Sequence, residues 1–315
     1  MFIKFWGVRG SLPHSPDPLS WVRQFEKIMN DFFLRGFQNA DQVQKYIRSR
    51  PVSEIGGYGT ATTCVEVTDE SGRALIVDGG SGIKAKSDVI QKENQFQKEY
   101  HILLTHYHFD HILGLPFFSP HFMSGCKINY YSVQNETEEI VRGLFKKPTF
   151  PISYHSLNAD IAFHKLIPYQ ENQINGFSVI PFKTDHPDTC YGFKISDGQR
   201  TYSHAVDNEA VRRTKSELGR DAGLYENTDL LFFDAQYDES EMNEKKGWGH
   251  GTGFRGLEIC ANFNIKQILL AHHDPGFSIE DSIAQEKKTE AVLNSKFSDL
   301  NLKCAYAYDG LEIKL

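Results

Sequence analysis

The sequence predicts an α/β fold with a helical insertion near the N-terminus, and three observations carry that prediction. Short apolar runs suited to strands alternate with segments of helical periodicity along most of the chain, the pattern of sheets covered by helices. Residues 14–55 break the alternation with a helical pattern of their own. Ligand-type side chains fall just after several strands, at the C-terminal edge where α/β sites sit. With 315 residues, 40% hydrophobic and 13% aromatic, the chain can fill a sizeable core. It reads as one domain over residues 1–315, with the insertion at about 14–55.

Taken in order, residues 2–6 read as a first strand that ends in a turn containing Gly7, Gly10 and Pro13. In the insertion Trp21, Phe25, Ile28 and Phe32 recur at helical spacing. Val43, Tyr46 and Ile47 mark a shorter helix that Pro51 ends. Strands are expected at 63–68 and 74–78, joined by the turn Asp69-Glu70-Ser71-Gly72. Gly79-Gly80-Ser81-Gly82 then leads into a polar helix. A buried strand at 102–105 is followed by a helix-like segment to Phe118, a strand at 127–133, a helix at 136–145 and an irregular aromatic stretch from Phe150. Further strands are expected at 177–182, 192–196, 201–206, 230–233, 267–271 and 303–308. Helices are expected after Asn208, after Gly253 and over 279–297, the last with Ser278 and Asp281 as a capping box.

A formal net charge of −7, with no long basic block, argues against an extended nucleic-acid surface. A small anionic substrate remains compatible, because bound cations supply local positive charge. The five cysteines are scattered and form no C-x-x-C pair, which suits free thiols in a reducing compartment. No signal peptide is visible at the N-terminus and no apolar run has the length of a membrane span, so a cytoplasmic protein is expected.

His106-Tyr107-His108-Phe109-Asp110-His111 is the most informative stretch. Three imidazoles and a carboxylate so close together are costly to pack unless a cation lies among them, and zinc, manganese and iron all suit these ligands. Further ligand-type residues follow other strands: His186, Asp207 and His272.

This order of residues resembles the metallo-β-lactamase superfamily. Further segments are similar to its phosphodiesterase branch, which includes ribonuclease Z and related bacterial hydrolases: Phe5-Trp6-Gly7-Val8-Arg9-Gly10-Ser11-Leu12-Pro13, Val77-Asp78-Gly79-Gly80-Ser81-Gly82, Asp234-Ala235-Gln236-Tyr237, Gly247-Trp248-Gly249-His250-Gly251-Thr252 and His272-His273-Asp274-Pro275. The resemblance implies a four-layer αββα sandwich holding two divalent metal ions, zinc first among the candidates. By position, His106, His108 and His186 would hold the first, Asp110, His111 and His272 the second, and Asp207 would bridge them. Two cations about 3.5–4 Å apart both activate water and neutralise the oxygens of the attacked centre. Asp78 and Asp234 would orient ligand imidazoles from behind. Asp110 and His250 are the catalytic candidates, His250 as the acid that protonates the leaving group. Arg9 is a candidate substrate contact through its guanidinium fork. His204 and His273 are not assigned to the metals.

The reaction implied is phosphodiester hydrolysis. Hydrolysis of a thioester or lactone, served by the same ligand set in other branches, is the alternative; a tRNA 3′-processing endonuclease and a non-catalytic metal-binding module rank below it. The modest basic point at Arg142, Lys146 and Lys147 is offset by Glu136, Glu138 and Glu139, so a small phosphodiester such as a cyclic nucleotide fits better than tRNA. The aromatic stretch at 145–154 could wall its pocket or simply pack. Two roles stay open for the insertion: narrowing the substrate mouth, or joining two subunits as a homodimer.

Overall fold

The computed structural model describes residues 1–315. Its strands form two seven-stranded sheets. The first contains β1 (Phe2–Gly7), β2 (Cys64–Thr68), β3 (Ala74–Val77), β4 (Glu99–Leu103), β5 (Lys127–Ser132), β6 (Asp160–Lys165) and β14 (Glu312–Lys314), in the order β14-β1-β2-β3-β4-β5-β6. The second contains β7 (Asn172–Ile174), β8 (Phe177–Lys183), β9 (Tyr191–Ser196), β10 (Thr201–Ala205), β11 (Leu230–Asp234), β12 (Gln267–Ala271) and β13 (Lys303–Tyr306), in the order β13-β12-β11-β10-β9-β8-β7. Three helices, α1 (Pro18–Leu34), α2 (Val43–Arg48) and α3 (Val52–Gly56), make up the insertion. The others are α4 (Ile83–Lys92), α5 (Phe109–Ile112), α6 (Thr137–Leu144), α7 (Lys215–Leu218), α8 (Gly253–Phe263) and α9 (Ile279–Lys296).

Strand periodicity explains the layering. Successive side chains of a strand point to opposite faces, so a strand buried on both faces is apolar throughout. In β11, Leu230 and Phe232 enter the core between the sheets, while Leu231 and Phe233 enter the core beneath α8. In sheet one, Leu75 and Val77 face the inter-sheet core and Ile76 faces α4. The result is three apolar cores between four layers, the αββα sandwich. Full burial of a side chain such as Phe232 contributes about 2–3 kcal/mol.

The insertion folds as helices with well-defined ends. Asp17 caps α1 by accepting from the backbone N–H groups of Leu19 (2.8 Å) and Ser20 (3.0 Å), and Pro18 opens the helix where its missing N–H costs nothing. The apolar stripe expected at Trp21, Phe25, Ile28 and Phe32 is only partly buried. Phe32 packs against Phe37 and Tyr46, whereas Phe25 is 60% exposed. The Lys27–Glu280 pair and the Tyr58–Glu286 hydrogen bond tie this region to α9. No helix is long and apolar enough to cross a membrane.

Candidate dinuclear metal centre

The two sheets bring strand ends from distant parts of the chain to one edge. His106, His108, Asp110 and His111 follow β4, His186 follows β8, Asp207 follows β10 and His272 follows β12. Asp78 (φ 61°), Asp207 (φ 54°) and His272 (φ 61°) are left-handed residues that turn the chain sharply as it leaves its strand. Such backbone is sparsely populated for residues with a Cβ and concentrates at functional sites.

All seven residues expected as ligands converge. One atom from each of His106, His108, His186 and Asp207 forms a group within 4.8 Å, and so does one from each of Asp110, His111 and His272. Asp207 lies between the groups. Its Oδ1 is 3.8 Å from His106 Nε2 and 3.9 Å from His186 Nε2, and its Oδ2 is 2.8 Å from His111 Nε2 and 3.3 Å from His272 Nε2. Asp110 Oδ2 is 3.3 Å from the Nε2 atoms of both His111 and His272.

The donor atoms fit cations. The Nε2 atoms of His106, His111, His186 and His272, and Oδ2 of Asp207, are buried without a hydrogen-bond partner. An unsatisfied buried polar atom costs about 1–3 kcal/mol, and five aimed at the same place would be a large penalty with nothing to coordinate. Four carboxylates are also buried here: Asp78, Asp110, Asp207 and Asp234. Burial lowers the pKa values of His106 and His186. Burial also opposes the charge of His272, yet Asp207, Asp234 and Asp110 raise its pKa to about 9. Burial alone would raise the pKa of the Asp110 carboxyl, but the His111 and His272 imidazoles beside it hold it well below the usual range. The site is therefore rich in negative charge that divalent cations would balance.

Each ring nitrogen turned away from the clusters has a holder. Asp78 meets His111 Nδ1 at 2.8 Å and accepts from the backbone and hydroxyl of Thr105. Gln236 Oε1 meets His272 Nδ1 at 3.0 Å. Asp188 Oδ2 meets His108 Nε2 at 2.8 Å, and its carbonyl oxygen lies 3.2 Å from His186 Nδ1. Thr105 Oγ1 is 3.1 Å from His106 Nδ1 and Cys190 Sγ is 3.7 Å from it. Burial pushes the Cys190 thiol up, which keeps it a neutral neighbour. Asp78, expected behind a ligand imidazole, is placed against His111. Gln236 and Asp188 were not singled out from sequence, although Gln236 lies inside a quoted motif and Asp188 is two residues past His186.

Asp234 serves a different imidazole. Its carboxylate meets His250 Nδ1 at 3.0 Å and accepts the N–H groups of Asp207, Gln236 and Gly251, each at 3.1 Å. The His250 ring stacks on His272 with centroids 4.9 Å apart, beside the clusters. Arg9 goes elsewhere. Its side chain is 1% exposed, with Nε donating to Gly59 O (2.9 Å) and a terminal nitrogen to Asp274 O (2.6 Å). The expectation of a substrate contact is corrected: the guanidinium fork is spent on clamping two loops together. His204 is buried under the site, 3.8 Å from Asp78 and bonded to Tyr202, and His273 is buried against Ala307 O. The aromatic stretch packs, with Phe145 in the core of sheet one and Phe150 and Tyr154 against it.

Comparison with known proteins shows the family and the fold. The family model described as the beta-lactamase superfamily domain matches residues 73–273, more than half of the chain. Ribonuclease Z of Archaeoglobus fulgidus is 21% identical over 285 residues, covering 76% of this chain and 90% of that protein. The probable metallo-hydrolase YhfI of Bacillus subtilis is 26% identical over 272 residues, covering 82% and 99%. The crystal structure of YhfI superposes with a TM-score of 0.60 and 16% identity over 99% of this chain and 98% of its own. Unliganded yeast PDE1 superposes with a TM-score of 0.62 and 14% identity over 100% and 99%.

Proposed function

This chain belongs to the β-lactamase superfamily, and on that premise we propose that it is a metal-dependent hydrolase of phosphodiesters, acting on a small substrate such as a cyclic nucleotide. The observation that carries the reading is His250. Asp234 holds its Nδ1, so Nε2 is the nitrogen left to deliver a proton beside the clusters. Cleavage of a phosphodiester expels an alkoxide, which leaves poorly unless protonated.

His106, His108 and His186 would hold one cation, Asp110, His111 and His272 the other, and Asp207 both. When bound, the two cations supply Lewis acidity toward water and toward phosphoryl oxygens. Asp110, held in its carboxylate form, orients the attacking water, while Ser11 N–H fixes that carboxylate at 2.8 Å. His250 then gives a proton from Nε2 to the departing oxygen, while Asp234 fixes the ring through Nδ1. One P–O bond forms to the water oxygen and one breaks to the alcohol oxygen, the proton released by the water replaces the one that His250 gave up, and in a cyclic nucleotide the phosphomonoester and the freed hydroxyl stay on one molecule.

Two observations favour a small substrate. The segment between β5 and β6 packs onto sheet one through Val141 and Phe145 instead of protruding as a basic arm, and Arg142 is paired with Glu138 at 2.7 Å. Exposed rings adjoin the site in sequence: Phe109 between His108 and Asp110, and Trp248 two residues ahead of His250. Aromatic rings of this kind stack nucleobases, at about 1–3 kcal/mol per base. The zinc-loaded enzyme should hydrolyse bis(p-nitrophenyl) phosphate and cyclic nucleotides faster than lactones, thioesters or a tRNA precursor. Cleavage of lactones or thioesters with the phosphodiesters left intact would sink the proposal.

A further inference from the structure

We propose that Asp188 is the positioning residue of the first metal cluster, holding two of its three imidazoles in the orientation that presents their free nitrogens to a divalent cation. The proposal rests on the metal-centre reading above and deepens it.

A ligating histidine presents one ring nitrogen to the metal, and the partner of the other nitrogen fixes its tautomer and ring angle. In the second cluster that duty is divided between two buried residues, Asp78 for His111 and Gln236 for His272. In the first cluster one residue performs it twice. The Asp188 carboxylate takes His108 Nε2 at 2.8 Å, which leaves Nδ1 as the nitrogen for the cation. The Asp188 carbonyl oxygen, 3.2 Å from His186 Nδ1, leaves Nε2, the atom that is buried without a partner. A carboxylate behind an imidazole also makes it a more basic ligand.

The two clusters differ in exposure as well. The Asp188 side chain is 72% exposed and that of His108 43%, whereas Asp78, His111 and His272 are all but inaccessible. An exposed Asp–His pair, screened by solvent, contributes little to folding. A role for this pair is therefore read in metal affinity rather than in the fold.

The test is zinc titration of chelator-treated protein against a competing chromophoric chelator, for the full-length wild type, Asp188→Ala and Asp188→Asn. Wild type should take up zinc in two steps. In Asp188→Ala one step should weaken roughly 10–100-fold while the other stays where it is. Asp188→Asn, which still accepts from His108 but carries no charge, should fall between. The melting temperatures of the three metal-free proteins should coincide, and the rise on adding zinc should be smaller for the alanine variant. Two wild-type steps with an Asp188→Ala curve superimposed on them would overturn the positioning role alone. A wild type that takes up no zinc would overturn the metal-centre reading, and this proposal with it.

Discussion

At the scale of single residues, the site separates groups that face the clusters from groups that aim them. His250 stands apart, because Asp234 holds its Nδ1 beside the clusters and leaves Nε2 for the proposed proton transfer. Replacing it by Asn should leave zinc content unchanged and lower kcat about 10²–10³-fold on diesters with alkoxide leaving groups. The loss should be much smaller on bis(p-nitrophenyl) phosphate, whose leaving group needs no proton. Equal losses on both substrates, or loss of zinc, would remove the general-acid role. The seven ligand-type residues were legible in sequence because each follows a strand as a His or Asp of the right type. Arg9 was misread because its partners, Gly59 O and Asp274 O, are backbone atoms brought together only by the fold. Asp188 and Gln236 escaped for a related reason: a hydrogen bond to the rear of an imidazole depends on ring orientation, which residue spacing does not encode.

Secondary elements explain how such residues come within reach of each other. Strands with both faces buried announced themselves as apolar runs, and β12 lies where periodicity placed it, at Gln267–Ala271. The strands not anticipated were β6, β7 and β14, each at the edge of its sheet. Their sequences, Asp-Ile-Ala-Phe-His-Lys, Asn-Gln-Ile and Glu-Ile-Lys, mix charged and polar residues with apolar ones because an edge strand is half in solvent. The helix-like segment expected through Phe118 is two short pieces, α5 and a 3-10 turn at Leu115–Phe117, and α5 is enough to place Asp110 and His111 together. Close packing between segments is as important as the strands. Gly249 has φ +91°, and a Cβ there would lie 2.3 Å from the His186 ring. Gly249→Ala should therefore weaken zinc binding at the first cluster while leaving the far-ultraviolet circular dichroism spectrum unchanged. Wild-type zinc affinity in that variant would show that the His186 ring moves aside without consequence.

On the scale of the whole molecule, burial of neutral histidines ties stability to pH independently of the metal site. Burial lowers the pKa of His121 to about 4; its ring bonds to Phe118 O and the Tyr130 hydroxyl within the core under sheet one. An unfolded chain protonates this group near pH 6.5, well before the folded one does. His121 therefore stabilises fully above about pH 6.5, and that contribution is lost as pH falls toward 4, to a total of about 3 kcal/mol. Urea unfolding of chelator-treated protein between pH 7 and 4 should show a shallower loss of stability for His121→Phe than for wild type. Parallel curves would mean that His121 titrates alike in both states. The central claim concerns the edge where the two sheets meet: Asp207 spans two cation sites that act together. Native mass spectrometry of chelator-treated protein, reloaded with zinc and assayed in parallel on a phosphodiester, tests it most directly. Wild type should gain two zinc ions per chain, with activity returning only as both are filled, and Asp207→Ala should hold fewer ions and stay inactive. Full activity with one zinc or none, or an Asp207→Ala variant that keeps two ions and turns over normally, would contradict it.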